Sequence, residues 1–180
     1  MKKLLLHHCC APCSPKVVER LKKDHEITGF WFNPNIQPEQ EYKSRKKSLE
    51  GYAGVAVIPL VVNEESGSQE WFDKIRGLSG DKRCEACYQI RLRKTAEQAD
   101  ILGCEFFSTT LLSSPYQKHE KVKRSGELAQ AGSRARFLYI DFRDTYYEGK
   151  DIAYKSGSYM QKYCGCIFSI EEKKKRKNTD

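Results

Sequence analysis

Long apolar runs are missing: nowhere do about 18 apolar residues follow one another, the length a helix needs to span a membrane, and no membrane partner is expected. The start, Met1-Lys2-Lys3-Leu4-Leu5-Leu6, briefly imitates a secretory leader. Its apolar part is too short, and His7-His8-Cys9 stands where a small-residue cleavage site belongs. The expected location is therefore cytoplasmic. Also missing is a Gly-rich, Ser-containing loop after the first apolar strand, the device with which ATP-using enzymes on similar sheets hold pyrophosphate. Cys9-Cys10-Ala11-Pro12-Cys13 occupies that place, so ATP is not an expected cofactor. No internal repeat and no second domain are visible.

Cysteine, by contrast, is abundant and clustered. Seven of the eight cysteines lie in Cys9-Cys10-Ala11-Pro12-Cys13, Cys84-Glu85-Ala86-Cys87 and Cys164-Gly165-Cys166; only Cys104 stands alone and reads as a core residue. In a reducing compartment such clusters argue for metal or redox use over structural disulfides. Charge is the second excess. Lysine and arginine number 32 against 24 acids, a net charge of +8, spread over most segments. Any one basic cluster reads as a solvated helix face, but the total favours a polyanionic partner.

Five apolar stretches alternate with helical patterns. Strands are expected over residues 3–8, 26–32, 55–62, 104–110 and 136–141, the third weakened by Pro59. Helices are expected from Pro15, with Ser14 as its cap, over 38–52, 69–75, 82–102 closed by Gly103, and 116–131. Residues 143–169 are a polar mixture around the third cysteine pair. This is a single α/β domain over residues 1–170: a five-stranded parallel sheet with helices on both faces, HUP-like (nucleotide-hydrolase-like), with a cysteine-containing C-terminal segment. Residues 171–180 read as a flexible basic tail able to touch phosphate. Such sheets bind ligands beyond the carboxyl ends of their strands, where strand order reverses. Those ends carry Cys9-Cys10, then Asn33 and Asn35, then Thr110, Ser113 and Ser114, then Asp141 and Arg143. The asparagines, hydroxyls and Arg143 are the candidate substrate contacts.

Cys9, Cys10 and Cys13 precede a helix N-terminus, whose dipole favours the metal-binding thiolate. Cys84 and Cys87 share one helix face and, joined to Cys9 and Cys10 across the rim, complete four thiolates. Four thiolates suit tetrahedral zinc or a [4Fe–4S] cluster. A vicinal pair makes a poor two-point bite on one ion but reaches two irons of a cluster, which favours iron–sulfur. A disulfide within Cys164-Gly165-Cys166 would close a very small, strained and easily reduced ring, suited to an electron relay. In the competing reading these two join Cys13 at a second metal, completed by Asp81 or Asp141. Of the histidines, His8 is a candidate proton donor or ligand partner, His7 reads as a satisfied core residue, and His25 and His119 read as surface residues.

Taken in order, His8-Cys9-Cys10-Ala11-Pro12-Cys13-Ser14, Asn33-Pro34-Asn35-Ile36, Arg83-Cys84-Glu85-Ala86-Cys87-Tyr88-Gln89-Ile90-Arg91, the run from Ser108 to Tyr116, and Gln161-Lys162-Tyr163-Cys164-Gly165-Cys166-Ile167-Phe168-Ser169 closely resemble the cobalamin-independent epoxyqueuosine reductases of the QueH type. The resemblance spans nearly the whole chain. It implies the last step of queuosine synthesis: reductive removal of the epoxide oxygen of epoxyqueuosine at the tRNA wobble position. The implied partners are the aspartate, asparagine, histidine and tyrosine tRNAs and an external electron donor. The implied cofactor is a [4Fe–4S] cluster on Cys9, Cys10, Cys84 and Cys87, without cobalamin; the implied redox pair is Cys164 and Cys166. A second, mononuclear iron involving Cys13 stays open. Opening an epoxide to an alkene takes two electrons and two protons, so a general acid is required. Asp141, Asp81, His8 and Tyr163 are candidates, and Trp31, Tyr42, Tyr88 and Tyr116 are candidate stackers for a splayed base. The alternatives are a tRNA-thiolation-type enzyme on a similar sheet, a zinc-stabilised RNA-binding module, and a generic disulfide reductase.

Overall fold

Three adjacent leucines, Leu4, Leu5 and Leu6, are wholly buried in the first strand, as expected when a parallel strand is covered on both faces. The computed structural model describes residues 1–63 and 68–171. The basic tail beyond Glu171 and part of the loop after Asn63 lie outside the described residues. The strands are β1 (Lys2–His7), β2 (His25–Trp31), β3 (Leu60–Val62), β4 (Phe106–Thr109) and β5 (Arg136–Phe137). They form one parallel sheet in the order β3-β2-β1-β4-β5. The helices flanking it are α1 (Pro15–Leu21), α2 (Glu39–Ala56), α3 (Ser68–Ile75), α4 (Gly80–Ile101), α5 (His119–Gln130) and α6 (Tyr146–Lys155). Strand order reverses between β1 and β4, which pair from Leu4 with Phe106 to His7 with Thr109. Each fully buried leucine or phenylalanine of this core stabilises the fold by roughly 1.5–3 kcal/mol.

Several boundaries differ from the sequence reading. The third strand begins at Leu60 rather than Val55, because α2 runs on through Ala56. Val57 ends it in the left-handed region (φ 51°), and pairing to Gly29 resumes only at the Pro59 carbonyl, proline having no N–H to give. β5 is two residues long, extended by the Leu138 N–H to the Phe107 carbonyl. Ser14 precedes α1 without capping it, since its hydroxyl serves His8 and Cys10 instead. Gly103 does close α4 in the left-handed conformation (φ 63°), and Cys104 is buried in the core. Helix α6 was not read from the sequence at all.

Candidate metal and redox centre

The chain leaves β1 at the switch point and turns through a 3-10 turn, Ala11–Cys13, before α1. That tight turn folds Cys9, Cys10 and Cys13 back on one another, and their sulfurs all lie within 4.8 Å. The neighbouring β4 end fastens the turn. The Thr110 hydroxyl accepts from the Cys9 N–H (3.0 Å) and donates to the Cys9 sulfur (3.3 Å). Ser113 donates to the Thr110 carbonyl at 2.9 Å and reaches the Cys13 carbonyl at 3.5 Å. Below the turn, Asn33 donates to the His8 carbonyl (2.9 Å) and accepts from Arg91 (2.6 Å).

The three thiols are unequal. Cys9 is driven well below the ordinary thiol value by hydrogen bonds from Cys10 and Cys13, with Arg91 and Thr110 adding to the effect. Burial pushes Cys10 up. Cys13 is pushed up by its contacts with Cys10 and Cys9, and burial adds. One thiolate thus sits in a nest of two thiols. Its stabilisation comes first from those S–H groups, then from a guanidinium and the Thr110 hydroxyl. Gln161 donates to the Cys10 sulfur at 2.7 Å, and its own Oε1 is buried without a partner.

The other cysteines stand outside this tight group of three. Cys84 and Cys87, in the early turns of α4, do not join the tight group. Cys87 packs on Trp71 and Ile75, with Cys166 and Phe168 against the same cluster. The charge of Cys164 acts on both Cys84 and Cys87. The tightest sulfur group is therefore N-terminal, with Cys13 as its third member. Cys164 is lowered from the ordinary 9.0 to about 5, first by the hydrogen bond from Cys166 and then by Ser169; Cys166 is pushed up by the same contact. All eight cysteines are free thiols.

Helix α2 holds this C-terminal loop in place. Arg45, buried and ion-paired with Glu41 (2.6 Å), donates to the Tyr163 carbonyl at 2.9 Å. The Gln37 N–H donates to the Gly165 carbonyl (2.9 Å), and Asn35 to that of Cys164 (3.4 Å). Gly165 has φ +105°, and a Cβ there would lie 2.8 Å from Ile36.

Between the two sulfur groups opens a cavity of 590 Å³, within the roughly 300–1,000 Å³ usual for small-molecule sites. Cys9, Cys10, Cys13 and Cys164 line it, with Arg45, Arg91, Lys150 and Lys162. Arg91 is buried and has no carboxylate partner among the described residues; its charge favours the thiolate form of Cys9, Cys87 and Cys164. A buried guanidinium without a carboxylate is costly, and anionic sulfur is what can offset it here.

The other expected site residues fall outside this cavity, with few exceptions. Ser114 and Tyr116 line it; Asn33, Asn35, Thr110 and Ser113 are buried behind it as supports for the cysteine loops. Arg143 is spent on Asp141 (2.6 Å), which it holds down to about 2. Asp81 is ion-paired with Lys118 at the surface. His8 is buried, donates from Nδ1 to Ser14 (2.7 Å), and burial lowers it to about 4, so its ring is neutral. His7 is satisfied by Thr109 and the Phe32 carbonyl, as expected. His119, expected at the surface, is buried against Tyr139, because α5 begins there with its first side chain turned inward. Trp31, Tyr42 and Tyr88 pack in or against core clusters. The residues that the sequence reading missed are Arg45, Arg91, Tyr146, Lys150 and Gln161. Arg91 and Gln161 had a signal, their places in the second and third cysteine motifs; the others had none.

Fold and site together define a parallel α/β protein whose switch point holds thiols and buried cations in place of a phosphate loop. A family model described as "Epoxyqueuosine reductase QueH" matches residues 4–172. Proteins of that description from Dehalococcoides mccartyi and Thermotoga maritima are each 33% identical, over 95% and 98% of this chain and 94% of their own lengths. A solved structure, a predicted subunit of tRNA methyltransferase from Methanocaldococcus jannaschii, aligns over 88% of this chain and 89% of its own, with a TM-score of 0.49 and 11% identity. The chain belongs to the QueH family of epoxyqueuosine reductases and is an oxidoreductase. No helix among the described residues is long and apolar enough to cross a membrane.

Proposed function

We propose that this chain reduces the epoxide of epoxyqueuosine at the wobble position of tRNA, giving queuosine, with an iron–sulfur cluster and the Cys164/Cys166 pair. The observation that carries the reading is the switch-point cavity, in which the three-sulfur group, Cys164 and two buried guanidiniums face one space. The donor set fits a thiolate-held centre. Cys9, Cys10, Cys84 and Cys87 would hold a [4Fe–4S] cluster, and Cys13, packed against the first two, is the thiol left for a second, mononuclear iron. Such a centre supplies electrons singly at a potential set by charge and hydrogen bonds to sulfur. The closeness of Cys9, Cys10 and Cys13 also suits a single zinc ion, for which sulfur ligands stand about 2.3 Å from the metal; iron and sulfide content separates the two.

The remaining chemistry falls to side chains. Opening the epoxide to an alkene consumes two electrons and two protons and releases water. Cys164, held as a thiolate, and Cys166, held as a thiol, store two electrons that they yield on forming a disulfide; an external donor restores them. Among the described residues no carboxylate lines the cavity. Asp81, Asp141 and His8 are engaged elsewhere, so the proton donor in this reading is a phenol. Tyr146 lines the cavity and is kept protonated chiefly by burial; Tyr163 lines it too, with its hydroxyl bonded to the Gln37 carbonyl. Ser114, Gln117 and Gln161 offer polar groups to a base edge, and Tyr116 a ring face. Free thiols in this number fit a reducing, cytoplasmic setting.

The test is incubation of RNA containing epoxyqueuosine with the protein and a strong reductant, followed by nucleoside mass analysis. Loss of one oxygen mass is expected with the wild type and not with Cys164→Ser. A wild type that removes no oxygen refutes the reading.

A further inference from the structure

Helix α6 borders the cavity, yet nothing in the chemistry above uses its outer flank. Four-residue spacing places Tyr146, Lys150 and Tyr154 along one stripe. The stripe begins inside the site, since Tyr146 and Lys150 line the cavity with Tyr116. It then runs out to solvent: Tyr154 is 72% exposed, and the adjoining Tyr116 and Tyr147 are 74% and 66% exposed. Tyr146 joins these rings, meeting Tyr116 at 5.9 Å and Tyr147 at 5.2 Å, edge to face.

The opposite flank is built for a different purpose. Gly149 and Ala153 are buried, and Gly149 lies against the Lys16 stem of α1. The acids on that side are consumed by α1: Glu148 pairs with Lys16 (2.9 Å) and Asp144 with Arg20 (3.4 Å). Lys150 has no carboxylate partner among the described residues. Asp151 stands one step further round the helix, beyond Tyr147. The flank toward the cavity thus presents ring faces and an ammonium group, in a chain of net charge +8.

We infer that this stripe is a docking edge for single-stranded RNA: Tyr154 and Tyr147 stack the nucleotides flanking the base held in the cavity, and Lys150 pairs with the phosphate between them. The inference rests on the reading of a tRNA substrate. Single-stranded RNA is the occupant because ring faces stack only on bases free of a duplex, and because a base that enters a cavity must already be splayed from its neighbours. Charge complementarity and continuity with the cavity set the position.

The test is binding without turnover: fluorescence anisotropy of a labelled anticodon stem-loop RNA against the full chain at several salt concentrations. Tyr154→Ala is expected to weaken binding about 5- to 150-fold, the range of one base–aromatic stack. Lys150→Ala is expected to weaken it too and to make the salt slope shallower by about 0.7, one phosphate contact. Lys23→Ala removes an equal charge just before β2, at the amino ends of the strands and away from the cavity at their carboxyl ends, and is expected to bind as the wild type. Wild-type affinity in both stripe variants overturns the inference, as does equal weakening by Lys23→Ala and Lys150→Ala. Because turnover is not read, a failure of the reductase reading would leave the binding outcome intact.

Discussion

At the scale of single residues, Cys164 carries the sharpest expectation. Its thiolate is favoured by the S–H of Cys166, so its ordinary 9.0 falls to about 5. The depressed value means that thiolate persists from alkaline pH down to about 5 and is lost below it. Alkylation of Cys164 by iodoacetamide, followed by mass spectrometry, should run at a plateau through neutral pH and fall about tenfold per pH unit below 5. A midpoint near 9 would show that Cys166 does not donate to it. Cys166→Ala should raise the midpoint toward the ordinary value, with Ser169 and Arg91 still holding it below. Arg91 is the second such residue. Its guanidinium favours the thiolate at Cys9, Cys87 and Cys164 and holds Asn33 under the cysteine turn. Arg91→Met keeps the length and removes the charge. It should cost roughly 10–100-fold in metal affinity, as loss of an outer partner typically does, read as iron retained during chelator challenge. Unchanged retention would remove Arg91 from the account. The cysteines that form the site were legible in sequence because clustered thiols have few bland explanations. The part played by Arg91 was not, although it closes the second cysteine motif, because an arginine in a charged helix looks solvated until its burial is known.

At the scale of elements, close approach explains what periodicity could not reveal. Gly126 of α5 faces the Phe137 ring of β5, where an added Cβ would lie 2.3 Å from it. Gly126→Ala should lower stability by about 1–3 kcal/mol through overpacking, seen as a lower urea midpoint. An unchanged midpoint would mean that α5 slides freely on the sheet. The same reasoning accounts for α6, whose buried face is made of Gly149 and Ala153 rather than large apolar residues. Such a face carries no large apolar side chain, and among tyrosines, glycines and charges the segment reads as polar loop. β1 and β2 were legible as short apolar runs, α4 by its length and its Gly103 stop, and α5 by its helical period. β3 was drawn too long because Val55 and Val57 suit a strand in isolation, while the last turn of α2 claims that stretch. Ser14 was expected to cap because of its type; a nearby histidine and carbonyl outbid the helix N–H groups for its hydroxyl.

At the scale of the whole molecule, strand order β3-β2-β1-β4-β5 brings the ends of β1 and β4 together, and everything chemical follows from that adjacency. Thr110, just past β4, fixes Cys9, just past β1; α4 delivers Arg91, α2 pins the Cys164 loop, and α6 closes the remaining side. The parallel sheet and its rim were readable from the alternation of elements. Which cysteines lie nearest one another was not, because spacing along the chain says nothing of how a 3-10 turn folds Cys13 back onto Cys9 and Cys10. The account therefore turns on what those sulfurs hold. Iron and acid-labile sulfide analysis of protein prepared without oxygen is the most direct measurement. The account predicts roughly four irons and four sulfides per chain, lost in Cys9→Ala and in Cys87→Ala; zinc without iron or sulfide, or full iron and sulfide in both variants, would contradict it.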